Sequence, residues 1–339
     1  GGKGLKGMET REAVDKEDEN DFVEHLFAAT AHDYLMFFTD TGRLYIERVF
    51  QIPEGSRTAK GRSIKNLLNL RPEEKIASVL RIEAVGNEDK SATFVEDKFV
   101  LFATRSGKVK KTKLSDFRNF RKDGIIAIRI EEGNSLRNVV LTDGTNDISM
   151  VTNRGYAVRC NENTIRPMGR GSAGVRGIRP RPGDYLVGLT VVDDSTHFLV
   201  VSEKGLGKRT PFEDYPTKGR GGKGVITMKV TEKTGAVTAA IRVAVDDEIM
   251  LMTTTGQSVR IRAADIRITG RNASGVKLMN LKAGELIQDI ARVVNDGEED
   301  ETEVAALPEI DPSEIEEEII DDLEEEEDDI VEDEGDEEE

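Results

Sequence analysis

The chain has 339 residues, with 66 Asp or Glu against 48 Lys or Arg, so its formal net charge is −18. The charge is unevenly placed: residues 295–339 hold 27 acids and no Lys or Arg, which leaves 39 acids against all 48 bases in residues 1–294, a body of +9 beside a tail of −27. Uniform acidity is excluded, and with it the inference that an acidic protein avoids nucleic acid.

The first residues, Gly1-Gly2-Lys3-Gly4, are neither a signal peptide nor an initiator Met, and are expected to be the interior of a longer chain. Five apolar runs then each lead into Thr/Ser-x-x-Gly. Residues 35–38 precede Thr39 and Gly42, 100–103 precede Thr104 and Gly107, and 148–151 precede Thr152 and Gly155. Residues 198–201 precede Ser202 and Gly205, and 249–252 precede Thr253 and Gly256. Each predicts a buried strand entering a tight turn. In a three-residue hairpin loop a type I turn is followed by a residue at positive φ, which Gly adopts without strain. The residues after the glycine predict an outgoing strand carrying bases: Lys108, Lys110 and Lys111, then Lys208 and Arg209, then Arg260 and Arg262.

A second glycine follows the first at a near-constant offset. Gly42 to Gly61, Gly155 to Gly174, Gly205 to Gly224 and Gly256 to Gly275 are each 19 residues apart, and Gly107 to Gly124 is 17. The apolar residues after it, such as Val175, Val225 and Val276, predict a third strand, with fourth strands near 75–82, 138–141, 185–192, 236–245 and 285–294. Four strands in a period of about 50 residues have the dimension of a propeller blade. Gly1 to Gly4 duplicate Gly221-Gly222-Lys223-Gly224, so the chain enters inside the basic loop of a sixth repeat. Six blades are expected, sealed where the last strands of the body meet the N-terminal segment.

The loops before the second glycine are Gly-rich and basic: residues 57–62, 118–122, 166–176, 218–223 and 267–277. Small residues beside bases let a phosphate reach both side-chain cations and backbone N–H groups. Repeated in every blade, such loops make a cationic track around a disc, and few aromatics accompany them, which argues against stacking on single strands. The candidate DNA-binding residues are Gly1, Gly2, Lys3, Gly4 and Lys6; Arg57, Lys60 and Arg62; Arg118, Arg121 and Lys122; and Arg166, Arg170 and Arg176. To these are added Lys208 and Arg209; Lys218, Arg220 and Lys223; Arg260 and Arg262; and Arg267, Arg271 and Lys277. A propeller that scaffolds protein partners is the alternative on periodicity alone.

The repeats with Thr/Ser-x-x-Gly-x-x-x-Lys/Arg, the loop Arg170-Gly171-Ser172-Ala173-Gly174-Val175-Arg176-Gly177-Ile178, the run Tyr215-Pro216-Thr217-Lys218, and Gly270-Arg271-Asn272 with Gly275-Val276 resemble the C-terminal, DNA-wrapping domain of the bacterial DNA gyrase A protein. The resemblance covers residues 1–294, and Gly1 to Gly4 resemble the end of that family's box motif, Gln-Arg-Arg-Gly-Gly-Lys-Gly. It implies an all-β, six-bladed β-pinwheel whose neighbouring blades exchange strands, a disc that wraps duplex DNA around its perimeter without reading sequence and with fixed handedness. It implies as partners duplex DNA, the rest of the gyrase A protein, and the gyrase B protein in an A2B2 assembly, a type II topoisomerase whose ATP and Mg are used elsewhere. This piece alone is then non-catalytic, with no cofactor of its own. Lys3 would be a backbone contact, and Tyr34, Tyr45, Tyr156, Tyr185 and Tyr215 would pack blades rather than attack DNA. The corresponding domain of topoisomerase IV is the neighbouring alternative, with fewer blades and a degraded box. The acidic stretch at residues 17–21 departs from the picture.

Other chemistry is thin. His25, His32 and His197 are scattered, the lone Cys160 has no partner at metal-ligand spacing, and residues 219–224 lack the ending of a nucleotide-binding loop. A single cysteine cannot form an internal disulfide, and no apolar run approaches the roughly 18 residues that span a bilayer, so a reducing cytoplasm is the expected home, and the resemblance implies a bacterial one, beside the nucleoid. Residues 295–339 are expected to be a largely disordered acidic tail. Within it Ser313 and Glu316 form a capping pair, and Ile315, Ile319 and Leu323 share one helical face. A tethered polyanion beside a basic disc is expected to compete with DNA in cis and modulate wrapping.

Overall fold

A computed structural model describes residues 29–53, 63–85 and 90–293. The first repeat contains β1 (Tyr34–Thr39), β2 (Arg43–Arg48) and β3 (Ile76–Ile82). The second contains β4 (Phe99–Thr104), β5 (Lys108–Lys113), β6 (Ile125–Ile126) and β7 (Leu136–Thr142). The third has β8 (Asp147–Thr152), β9 (Tyr156–Asn161), β10 (Val175–Arg176) and β11 (Leu186–Val191). The fourth has β12 (His197–Ser202), β13 (Leu206–Pro211), β14 (Val225–Ile226) and β15 (Val237–Val243). The fifth has β16 (Glu248–Thr253), β17 (Ser258–Arg262), β18 (Val276–Lys277) and β19 (Ile287–Val293).

Each hairpin closes as its residue types require. The five hairpin glycines lie at φ between 78° and 88°. The Thr or Ser three positions earlier turns its hydroxyl back to accept the N–H four residues on: Thr39 from Arg43 at 3.0 Å, Thr104 from Lys108 at 3.2 Å, and Ser202 from Leu206 at 3.3 Å. The hydroxyl thus satisfies a donor at the turn that the ladder leaves open.

The blades are not built from single repeats. In the first sheet the order is β3-β1-β2-β6, and the following sheets read β7-β4-β5-β10, β11-β8-β9-β14 and β15-β12-β13-β18. The short third strands of the second to fifth repeats therefore each pair with the outgoing strand of the repeat before: Ile125 opposite Leu44, Val175 opposite Val109, Val225 opposite Ala157, Val276 opposite Gly207. The fifth sheet has three strands, β17-β16-β19, and among the described residues nothing pairs with the far edge of β17. Five blades are thus shown; the sixth, and the seal at the N-terminal segment, lie outside the described residues, as does the tail.

The fourth strand of each repeat is the inner one, and these touch in succession, β3 to β7, β7 to β11, β11 to β15 and β15 to β19, so the blades fan around a common axis. Apolar runs are continuous because both faces of a blade are covered. On β12, Phe198 and Val200 pack toward the third blade with Val151, Ala157 and Tyr215, while Leu199 and Val201 pack toward the fifth with Ile249 and Leu251. Between the first two blades Phe38 meets Phe102 edge-on at 5.5 Å. Tyr34, Tyr45 and Tyr215 are buried, and guanidinium groups cover Tyr156 (Arg181, 3.3 Å) and Tyr185 (Arg105, 4.0 Å).

Candidate nucleic-acid interface

Strand donation carries a loop with it. Before reaching its position at the outer edge, each third strand is preceded by the basic Gly-rich loop, which runs along the outgoing strand of the preceding blade. Parallel bridges join Lys111 to Pro167, Arg159 to Thr217 and Arg209 to Ile268. Met168 N donates to Lys111 O at 2.7 Å and Lys218 N to Arg159 O at 2.9 Å. The second glycine makes this approach possible. Gly174, Gly224 and Gly275 have φ of 87°, 84° and 88°, and a Cβ on them would stand 2.4, 2.7 and 2.5 Å from the carbonyl oxygens of Val109, Ala157 and Gly207.

The loops and the donated strands therefore line the perimeter, farthest from the inner strands. Exposed there are Arg118, Arg121 and Lys122; Arg166 and Arg176; Lys218, Arg220 and Lys223; and Arg267 and Lys277. Recurring cations beside small residues suit a polyanion's backbone, and the loops are spread over successive blades as a track requires.

The loop arginines are part staple, part surface. Arg220 Nη1 donates to Arg176 O at 3.1 Å, and its Nε to Thr164 O at 3.0 Å. Arg271 Nη1 donates to Ile226 O at 3.0 Å. Each reaches the donated strand of the neighbouring blade. Arg170 is half-buried, and its Nη1 has no hydrogen-bond partner in the protein.

Two of the expected contacts are corrected by the structure. Lys208 and Arg209 are buried. Lys208 Nζ donates to Gly270 O at 2.7 Å and also to Arg271 O, while Arg209 donates to Ile266 O at 2.8 Å and Ala264 O at 3.2 Å. Arg260, which stands opposite Met250 in the hairpin, pairs with Glu248, and Arg262 holds Asp265 at 2.8 Å yet stays exposed, so neither of these two is sealed inside. The outgoing strand of the fourth repeat is sandwiched between two blades, so Lys208 and Arg209 are internal fasteners rather than perimeter charges. The same is true of Lys110 and Lys111, the latter paired with buried Glu162 at 2.8 Å. Glu162 also accepts from Thr142 Oγ1, Gly144 N and Asn146 N at 2.8–3.0 Å, so the pair is fully satisfied.

Gly1, Gly2, Lys3, Gly4, Lys6, Arg57, Lys60 and Arg62 lie outside the described residues, with the acidic stretch 17–21 and His25. Among the described residues no cluster of His, Cys, Asp and Glu could hold a metal, and Cys160 is buried. Burial pushes the Cys160 thiol up to about 11. Three exposed cations escaped the sequence reading: Arg129, Arg179 and Lys229, each five residues after a second glycine. Arg129 N donates to Ser172 O at 3.0 Å and Arg179 N to Gly222 O at 2.8 Å, which sets them beside the next perimeter loop. Their constant offset was the available signal.

Residues 33–83, 98–143, 146–193, 196–244 and 247–293 match the family model of the DNA gyrase C-terminal domain, beta-propeller. The chain is 44% identical over 287 residues to the DNA gyrase A protein of Deinococcus deserti, covering 83% of this chain and 33% of the relative. It is 37% identical over 317 residues to the DNA gyrase A protein of Mycolicibacterium smegmatis, covering 91% of this chain and 36% of that one. The chain thus spans about a third of the length of these relatives. A solved DNA gyrase A C-terminal domain superposes with a TM-score of 0.68 at 25% identity, over 86% of this chain and 92% of that one. The C-terminal domain of a DNA topoisomerase IV gives the same TM-score at 24% identity, over 78% of this chain and 80% of that one, a likeness of fold.

Proposed function

The chain belongs to the DNA gyrase C-terminal domain family, and from that premise we propose that it binds duplex DNA without sequence preference and wraps it with one handedness around its perimeter. The observation that carries the reading is the donation of each basic loop to the outer edge of the preceding blade, which displays Arg166, Arg176, Lys218, Lys223, Arg267 and Lys277 on consecutive blades. Backbone phosphates are the matching ligand. The duplex has a persistence length of about 150 base pairs, so curving it costs on the order of several kcal/mol, which contacts spread over several blades offset.

Within an A2B2 gyrase, wrapping presents a DNA segment to catalytic machinery that lies elsewhere, where ATP and Mg drive strand passage and introduce negative supercoils in the bacterial cytoplasm. This piece contributes no bond-making step. Residues 295–339, with their charge of −27, compete for the perimeter in cis and modulate wrapping. Gyrase is favoured over topoisomerase IV by Gly1-Gly2-Lys3-Gly4, which resemble the end of the box and repeat the Gly221-Gly222-Lys223-Gly224 loop.

The test is the topology of a plasmid relaxed with the domain bound. A unidirectional change in linking number is expected, larger when residues 295–339 are removed. An unchanged linking number would refute wrapping, and equal DNA affinity with and without the tail at low salt would remove its regulatory role.

A further inference from the structure

Two lysines inside the blades are not explained by the perimeter. Lys110 and Lys208 occupy one place in the second and fourth repeats, three residues after the hairpin glycine, where the other repeats have Tyr45, Val158 and Val259. Both are closed off from solvent. Lys110 Nζ donates to Ala127 O and Arg170 O, both at 2.6 Å. Lys208 Nζ donates to Gly270 O at 2.7 Å and to Arg271 O. Each therefore holds, from beneath, the loop that the following repeat donates, and holds it at the loop arginine itself.

A buried ammonium ordinarily has a carboxylate, as neighbouring Lys111 has Glu162. Lys110 and Lys208 have backbone carbonyls instead, and neither forms an ion pair among the described residues. The charged groups facing Lys110 are Arg170, from the loop of the third repeat, and Asp116, from the turn after its own strand. Those facing Lys208 are Arg271, from the loop of the fifth repeat, and Asp214. Burial, reinforced by the loop arginine and opposed by the acid, draws the two ammonium groups down to about 8 at Lys110 and about 7 at Lys208. Two like charges at one loop are relieved by an anion bound on the loop's outer side.

We propose that Lys110 and Lys208 are positioning residues for duplex DNA, each an uncompensated cation beneath a loop arginine, so that Arg170 and Arg271 hold backbone phosphate under a field that the loop above Val158 lacks. The inference rests on the DNA-binding reading of the perimeter. A neutral donor would anchor the same carbonyls; only a cation adds to the potential felt by the phosphate. Phosphate at the arginine in turn favours the charged lysine and raises its hold on a proton. Binding takes up protons wherever the pH lies between the free and the bound values. DNA affinity therefore falls as pH rises through the free values, and flattens only well below about 7, where both lysines are already charged.

The experiment titrates the full 339-residue chain with mixed-sequence duplex DNA by calorimetry, at about pH 8, in buffers of different ionisation heat. Net proton uptake of at most about two per complex is expected, and no uptake overturns the proposal. This measurement needs no substitution, so it decides the matter whether or not a variant folds. A second series varies pH at fixed salt. The double variant Lys110→Met with Lys208→Met is expected to bind on the order of tenfold less tightly at neutral pH, with a flat profile. Lys223→Met, on the perimeter, lowers affinity at every pH and keeps the profile. A double variant that retains the pH dependence overturns the proposal, whereas a wild-type chain that binds no duplex overturns the perimeter reading beneath it.

Discussion

The bases of the outgoing strands and those of the donated loops carry the same charge within the same repeat, yet they live in opposite surroundings. Lys111 and Arg209 are buried against carboxylate or carbonyl oxygens, while Arg176 and Lys277, on the donated strands, are exposed. Position relative to the neighbouring blade separates them. A strand between two blades is desolvated on both faces, so a base there needs a partner inside the protein. A loop or strand laid on the outer edge keeps one side in water. Charge alone therefore marks a candidate polyanion surface poorly, and the repeat that supplies the outer edge marks it well.

The comparison is broken most directly at Glu162. Glu162→Ala leaves Lys111 buried without its ion-pair partner and strips acceptors from Gly144 N and Asn146 N. A loss of about 3–5 kcal/mol is expected in denaturant unfolding. A loss below about 1 kcal/mol would mean that the strand bases behave as surface charges after all.

Next in size is the junction between strand and loop. Gly224→Ala forces a side chain at φ 84° and a Cβ to 2.7 Å from Ala157 O. It is expected to cost about 1–3 kcal/mol and to detach the donated strand. Gly222→Ala, two residues away in open space, is expected to stay within about 0.5 kcal/mol. Equal melting curves for the two variants would show that the loop is not seated on the strand.

Acid extends the contrast to carboxylates. Glu285 is held down to about 2 by hydrogen bonds from the Thr255 and Thr253 hydroxyls and from Lys282 N. Its folded value is depressed, so its contribution is present above the ordinary value of 4.5 and is lost as pH falls through about 2. Melting temperature is expected to decline across that window in the wild type, and to decline less in Glu285→Gln. Identical pH profiles would remove Glu285 from the account.

The smallest effect on stability belongs to the perimeter. Arg176→Ala or Lys277→Ala is expected to change unfolding by no more than about 0.5 kcal/mol, while reducing the log–log salt slope of DNA binding by about 1 each. A stability loss comparable with that of Glu162→Ala would erase the distinction between strand and loop.

Much of this was readable in the chain. The apolar runs mark β1, β4, β8, β12 and β16, and the fixed glycine after each lies at positive φ as its turn demands. The second glycine also stands where expected, and the third strand follows it, though only two residues long. The two corrected bases are instructive. Lys208 and Arg209 carry the same signal as the loop bases, and nothing in their spacing states that Gly270, Arg271, Ile266 and Ala264 will close over them. Arg129, Arg179 and Lys229 were missed because they follow the second glycine by five residues, past the basic loops that precede it.

By itself the sequence determined the repeat, the hairpins, the turn glycines and the division of charge between body and tail. Those follow from local backbone preference and from periodicity, which act within a repeat. Only the tertiary structure decided which blade each third strand completes, and hence which bases are sealed in and which are shown to solvent. Edge pairing and burial depend on the carbonyl and amide groups of a different repeat, and a strand signal of two residues does not specify whose edge it will meet.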